Sequence, residues 1–240
     1  MATMAPDEHD LRVQLAAGYR LADKFGMSEI INTHISMRIP GSEPSFLINP
    51  HGVLFSEICA SNLVRVDLAG NVVGESDYPP HRVGAALHSA VLEARPEINC
   101  VFHTHTPYTT AVASLECGLL PMSQAALRFA GRIAYHDYGR AGDDPLERSR
   151  LAEDLGEKWS MLLRNHGGLT MGKTVGQAFI AAFYLEKACQ FQVLAQSTGQ
   201  SIVMPPIETQ RGSGEPSDRE EISWPGLLRL VDKEDPSYRD

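Results

Sequence analysis

Val101-Phe102-His103-Thr104-His105-Thr106-Pro107, answered far downstream by Leu163-Arg164-Asn165-His166-Gly167-Gly168, decides how this 240-residue chain is read. The apolar start of the first motif and the proline that closes it predict a strand over residues 99–105. Side chains alternate across a strand, so His103 and His105 share one face while Thr104 points to the other. That spacing lets two imidazole nitrogens reach one metal ion at bonds of about 2.0 to 2.1 Å. His166 follows a second apolar run, residues 160–164, and Gly167-Gly168 beside it permits close backbone approach. Two parallel strands ending side by side are expected to bring the three imidazoles together. Neutral imidazoles suit zinc, manganese, iron or cobalt alike. No carboxylate stands at ligand spacing, so the open positions of one divalent ion would take water or a bidentate substrate.

Working outward, the pattern is that of a mixed α/β domain. Apolar residues at helical spacing predict helices over residues 11–25, stopped by Gly26, and over 84–94, closed by Arg95-Pro96. Alternation predicts strands at 35–39, ended by Pro40-Gly41, and at 45–48, running into the turn Asn49-Pro50-His51-Gly52. Residues 62–67 and 71–74 flank Ala69-Gly70 as a hairpin. Further helices are expected at 109–116, 146–159 and 175–195, and a short strand at 131–135. In the helix 175–195 the aromatics Phe179, Phe183, Tyr184 and Phe191 read as a core or subunit-contact stripe. Residues 1–10 are expected to be a flexible N-terminus and 11–204 one domain. Residues 205–240 are expected to form a C-terminal extension with a loose connection at 210–218 and a tail that either docks through Trp224, Leu227 and Leu230 or reaches a neighbouring subunit.

Composition narrows the function classes. A net charge of -9 without a basic stripe argues against a nucleic-acid partner. No apolar run is long enough to span a bilayer, and the first thirty residues lack a secretory pattern, so a cytoplasmic protein without a membrane partner is expected. The four cysteines form no CxxC pair and read as reduced core thiols. Residues 167–174, Gly-Gly-Leu-Thr-Met-Gly-Lys-Thr, match the letters of a phosphate loop, but Leu169 and Met171 fill positions that a flexible loop would keep open.

Six segments together carry a resemblance: residues 32–38 (NTHISMR), 47–52 (LINPHG), 87–90 (LHSA), 94–97 (ARPE), 103–106 (HTHT) and 164–167 (RNHG). In these the chain resembles the class II aldolase/adducin family, which includes metal-dependent sugar-phosphate aldolases and epimerases, decarboxylases, non-haem iron oxygenases and the non-enzymatic head domains of adducins. The likeness runs from about Leu11 to Gln200. It implies a three-layer α/β/α sandwich, commonly a homotetramer, with His103, His105 and His166 as metal ligands. Two departures stand out. In the sugar-phosphate aldolases a glutamate that serves as base lies on the helix before the His-x-His pair, and the matching position here is Gly84. His34 and His51 also replace the compact polar residues of the aldolases' phosphate site.

These departures favour a metal-dependent lyase of the adducin-like branch acting on a small hydroxy- or oxo-carboxylate, aromatic acids included, with decarboxylation ahead of aldol cleavage. Retro-aldol cleavage needs a base to remove a hydroxyl proton, whereas decarboxylation needs only an acid to protonate the carbon left behind. Histidine titrates in the right range for that acid. His34, His51, His81 and Tyr138 are the candidate catalytic groups, and Arg82 is the candidate partner of a substrate carboxylate through its planar fork. His88, on the same helical body as Leu87 and Leu92, reads as a hydrogen-bonded structural histidine. The alternatives are an Fe(II) oxygenase of the same fold, a sugar-type aldolase and a metal-free, adducin-like interaction module.

Overall fold

The structure, a computed structural model, describes residues 7–41, 43–139, 145–210, 216 and 221–240. Residues 1–6 and most of the expected loose connection at 210–218 lie outside them. Asp7 opens the first helix, α1 (Glu8–Lys24), by accepting the Asp10 N–H at 2.8 Å, so residues 8–10 are helical rather than part of a flexible tail. Strands β1 (His34–Ile39), β2 (Ser45–Ile48) and β3 (Val64–Asp67) follow, then helix α2 (Arg82–Ala94) and strand β4 (Cys100–Thr104). Next come α3 (Pro107–Ala113), α4 (Gln124–Leu127), β5 (Ile133–His136) and α5 (Pro145–Leu155). Strands β6 (Ser160–Leu163) and β7 (Gly167–Gly172) lead into the long helix α6 (Val175–Ser197), and α7 (Trp224–Glu234) lies near the C-terminus.

The strands form one sheet in the order β3-β2-β1-β4-β7-β6-β5, antiparallel throughout except for the β5–β6 pair. Strand parity sorts the side chains into two cores. Ile35, Met37, Ile39, Leu47 and Phe102 pack with α1 and α6, whereas Phe46, Ile48, Val101, Leu169 and Met171 pack with α2 and α5. The result is the expected sheet between two helical layers. Alternation along β1 suggests one wet face, yet its polar side chains His34 and Ser36 are buried too. They face α2, and that polar face is where the candidate site lies.

Sequence reasoning missed β7, and the missing strand changes how the three histidines meet. The expected side-by-side parallel strands, β4 and β6, are separated by β7, which runs antiparallel to both. A tight turn with Asn165 at φ 58° joins β6 to β7 and carries His166. Because β7 starts where β4 ends, with Gly168 paired to Thr104, the turn holds His166 beside the end of β4. Gly167 is obligatory there, since a Cβ would lie 2.2 Å from the Thr104 carbonyl oxygen. Burial of every β7 residue also explains why the phosphate-loop letters are not a loop. Thr174, the last of them, instead caps α6 by accepting the Gln177 N–H at 3.1 Å.

Smaller differences have local causes. The expected hairpin is short: Val72 bridges to Val66, flanked by hydrogen bonds of 2.9 Å from Asp67 N–H to the Asn71 carbonyl and from Val73 N–H to the Arg65 carbonyl, and Asp67 shapes the turn between by accepting the Ala69 and Asn71 N–H groups. The helix expected to reach residue 159 stops at Leu155, where Gly156 takes φ 49°, and that expected at 109–116 spans Pro107–Ala113. Cys100 and Cys189 are the expected core thiols, but Cys59 is half-buried and Cys117 exposed; all four are free. Phe179 is buried, Phe183 and Tyr184 are half-buried against the cores, and Phe191 is exposed. The C-terminal tail docks on its own chain. Trp224, Val231 and Tyr238 join the core beneath α1, with Leu227 and Leu230 half-buried against it, and Trp224 Nε1 donates to Gln14 Oε1 at 2.7 Å. Among the described residues, no helix is long and apolar enough to cross a membrane.

Candidate metal centre and histidine cluster

Nine histidines are present in the chain, and seven of them form one continuous set of ring contacts. His103 belongs to β4 and is buried, His105 lies just past its end, and His166 sits in the β6–β7 turn. Their candidate ligand nitrogens lie within 4.8 Å of one another. His105 Nε2 stands 2.8 Å from His103 Nε2 and 3.0 Å from His166 Nε2. Atoms bonded to one ion at 2.0 to 2.1 Å stand roughly 3 Å apart, which is the spacing of His105 Nε2 from each of the other two.

The partners of the other ring nitrogens sharpen that fit. His103 Nδ1 lies 3.0 Å from the Gly168 carbonyl oxygen, and His105 Nδ1 lies 2.7 Å from Glu29 Oε2. Both partners can only accept, so both Nδ1 atoms carry protons and the neutral rings keep their lone pairs on Nε2. A proton on His105 Nε2 could serve only one of its two contacts. A divalent cation would take the lone pairs of both His103 and His105. Burial, reinforced by neighbouring imidazoles, keeps His103 well below the ordinary histidine range and pushes His166 down to about 4. Neutral imidazoles are the form that binds a metal.

The second half of the cluster lies on β1 and α2. His34 is paired in register with His103 on the adjoining strand, and their rings are 4.9 Å apart. His34 Nδ1 meets His88 Nε2 at 2.8 Å, and His88 Nδ1 meets Ser36 Oγ at 2.6 Å. His88 is thus the satisfied, buried histidine expected, but its partner is the candidate catalytic His34. His81 caps α2 by accepting the Gly84 N–H on Nδ1 at 3.0 Å, which leaves Nε2 to carry its proton. His51 is exposed, 5.2 Å ring to ring from His81, because its N–H donates to the Pro79 carbonyl at 2.9 Å and ties the two loops together.

Gly84 and His34, two separate departures in the sequence, are one structural feature. A Cβ on Gly84 would lie 2.6 Å from His34 Cδ2 and 2.9 Å from its Nε2. The imidazole occupies the space that a side chain at position 84 would enter. Of the remaining candidates, Tyr138 is exposed with its ring 6.4 Å from that of His166. Arg82 is exposed on the first turn of α2, outside the set of ring contacts. Sequence reasoning missed Glu29 and Ser36. Glu29 sits in an irregular segment with no motif, whereas the parity of β1 that places His34 also places Ser36.

Burial and the neighbouring His81 push His88 down to about 3, and burial with His88 and His103 beside it holds His34 well below the usual 6.5. Both pKa values are lower folded than unfolded, so the unfolded chain binds more protons below pH 6.5 and stability falls as the solution is acidified. Each such imidazole withdraws about 1.4 kcal/mol per pH unit in that window. The metal-free protein should accordingly show a lower thermal midpoint at pH 5 than at pH 7.5. An unchanged midpoint would mean that these rings are open to solvent.

An α/β sheet with three converging imidazoles at the adjacent ends of β4 and β7 defines a scaffold for a metal-dependent enzyme. Residues 13–193 match the model of the Class II Aldolase and Adducin N-terminal domain, and the chain belongs to that family. It is similar to the solved structure of an aldolase II superfamily protein from Pseudomonas syringae, with 42% identity, a TM-score of 0.92, and coverage of 99% of this chain and 98% of that one. An L-fuculose 1-phosphate aldolase from Glaciozyma antarctica PI12 is 27% identical, with a TM-score of 0.86 over 100% and 97% of the two chains. Alpha-adducin of Rattus norvegicus is 40% identical over 92% of this chain but only 33% of the adducin. Metal-dependent lyase chemistry of the aldolase superfamily is the class of activity these findings support.

Proposed function

We propose that the protein is a metal-dependent carbon–carbon lyase that cleaves a small hydroxylated carbonyl compound in the aldol manner. The observation that carries this reading is the meeting of three metal-ready Nε2 atoms beside a buried, hydrogen-bonded His34. Similarity to an L-fuculose 1-phosphate aldolase moves aldol cleavage ahead of the decarboxylation favoured by the sequence. When bound, zinc, manganese or iron at His103, His105 and His166 would supply Lewis acidity to a substrate oxygen.

Proton handling falls to the second half of the cluster. In the chain Ser36–His88–His34 each ring nitrogen in contact can either donate or accept. With every proton pointing toward His34, its Nε2 is a donor; with every proton reversed, its Nε2 is an acceptor. His34 can therefore take up a hydroxyl proton and return one to carbon without the chain ending in a different charge state. His81 Nε2 is a second donor, His51 and Tyr138 are candidates at the exposed rim, and Arg82 is the candidate partner of an anionic substrate group. Phe191 and Leu194, exposed on α6, support the expectation of a homotetramer.

Decarboxylation of a hydroxy- or oxo-acid is the second reading, favoured by the His34 ring standing where a carboxylate at position 84 would be. The test is an anaerobic screen of metal-loaded protein against hydroxy-aldehydes, their phosphates and small hydroxy-acids. Aldehyde or ketone release lost on chelation is the expected result. Carbon dioxide release would install the second reading, iron-dependent oxygen uptake in air an oxygenase, and inertness of the loaded protein an interaction module.

A further inference from the structure

We infer that Glu29 is a positioning residue of the candidate metal centre, holding His105 in the orientation that aims its Nε2 at His103 and His166. The inference rests on the reading of those three histidines as a metal site. Glu29 Oε2 lies 2.7 Å from His105 Nδ1, across 76 positions of sequence. Among the three histidines the ring orientations are set differently. His103 is buried and tied to the backbone of β7, while His105 lies beyond the last residue of β4, where no strand pairing holds it. Its Nδ1 contact with Glu29 is what fixes the rotation of the ring and keeps the proton off Nε2.

The segment that presents Glu29 is held in an unfavourable conformation. Ile30 adopts φ 52°, a region costly for a β-branched residue, and is 71% exposed, so burial does not offset the cost. The turn is fixed nonetheless. Met27 and Thr33 are buried on either side, Ser28 Oγ donates to Asp23 Oδ1 at 2.8 Å, and the Asn32 N–H donates to the Glu29 carbonyl at 2.9 Å. Local strain of this kind persists where the surrounding structure imposes it, and here what it secures is a carboxylate over His105. A carboxylate behind a ligating imidazole orients the ring and raises its basicity.

The test compares Glu29→Ala and Glu29→Gln with the parent protein, using zinc competition against a chelating dye and the visible spectrum of the cobalt(II) form. Glu29→Ala should weaken zinc binding about 10- to 100-fold and shift the cobalt bands. Glu29→Gln, whose amide oxygen accepts the same N–H, should recover most of the affinity. The unfolding midpoint of the metal-free form should stay put, because the Glu29 side chain is 49% exposed and makes this contact at the surface. Zinc affinity of Glu29→Ala within twofold of the parent, with the same cobalt spectrum, would overturn the inference while leaving the metal centre intact. A parent protein that binds neither ion would overturn the metal reading itself, and the role of Glu29 with it.

Discussion

Replacing any one of His103, His105 or His166 with alanine should abolish stoichiometric metal and with it at least a thousandfold of turnover, roughly 4 kcal/mol of transition-state stabilisation. The expectation follows from the number of donors. Among the described residues only these three offer ligand atoms close enough to share an ion, so removing one leaves two. Loss of a ligand should exceed the 10- to 100-fold effect typical of a group that merely orients one. His166→Ala is the cleanest of the three, since its half-buried ring lies in a turn whereas His103 is part of the packed sheet. Metal content after dialysis, read beside circular dichroism to show that the fold persists, decides the matter. Full metal occupancy in all three folded variants would place the ion elsewhere.

Gly84→Ala should destabilise the protein by about 2 kcal/mol, the range of an overpacked core, although alanine is the better helix former. The added methyl would stand 2.6 to 2.9 Å from three atoms of the His34 ring, on a helix whose first turn is anchored by the His81 cap. To make room the ring must swing away and give up its contact with His88. The double variant His34→Ala/Gly84→Ala tests this directly. If the two positions form one feature, the second substitution should cost less in the presence of the first, with a coupling of about 1 kcal/mol or more in urea unfolding. A Gly84→Ala protein as stable as the parent would show that the ring is free to move. Installing a glutamate at position 84 would meet the same obstacle, so conversion toward a carboxylate-bearing site requires a smaller residue at 34 as well.

Much of this architecture was legible from short-range pattern. Period-two alternation placed His103 and His105 on one face, whereas the strand expected at 35–39 left out His34, which the structure shows to be the first residue of β1. The stops at Gly26, at Pro40-Gly41 and at Arg95-Pro96 bounded their elements because they act on the backbone within one or two residues. Where a reading failed, the competing signal was also local but ambiguous. Residues 167–172 contain glycines that read as a loop, yet Leu169 and Met171 alternate toward the core, and only pairing with β4 and β6 settles the segment as a strand.

By itself the sequence determined the three candidate ligands and the shared face of His103 and His105, since both depend on residue type and on a periodicity encoded over a few positions. The tertiary structure alone decided which residues meet. Insertion of β7 between β4 and β6 brings His166 to His105, the register of β1 on β4 sets His34 beside His103, and packing of α2 onto β1 presses that ring onto Gly84. The strained turn at Ile30 delivers Glu29 to His105 in the same way. Each of these contacts joins segments tens of residues apart, where no local pattern specifies the partner and only the packing of the whole sheet and its helices does.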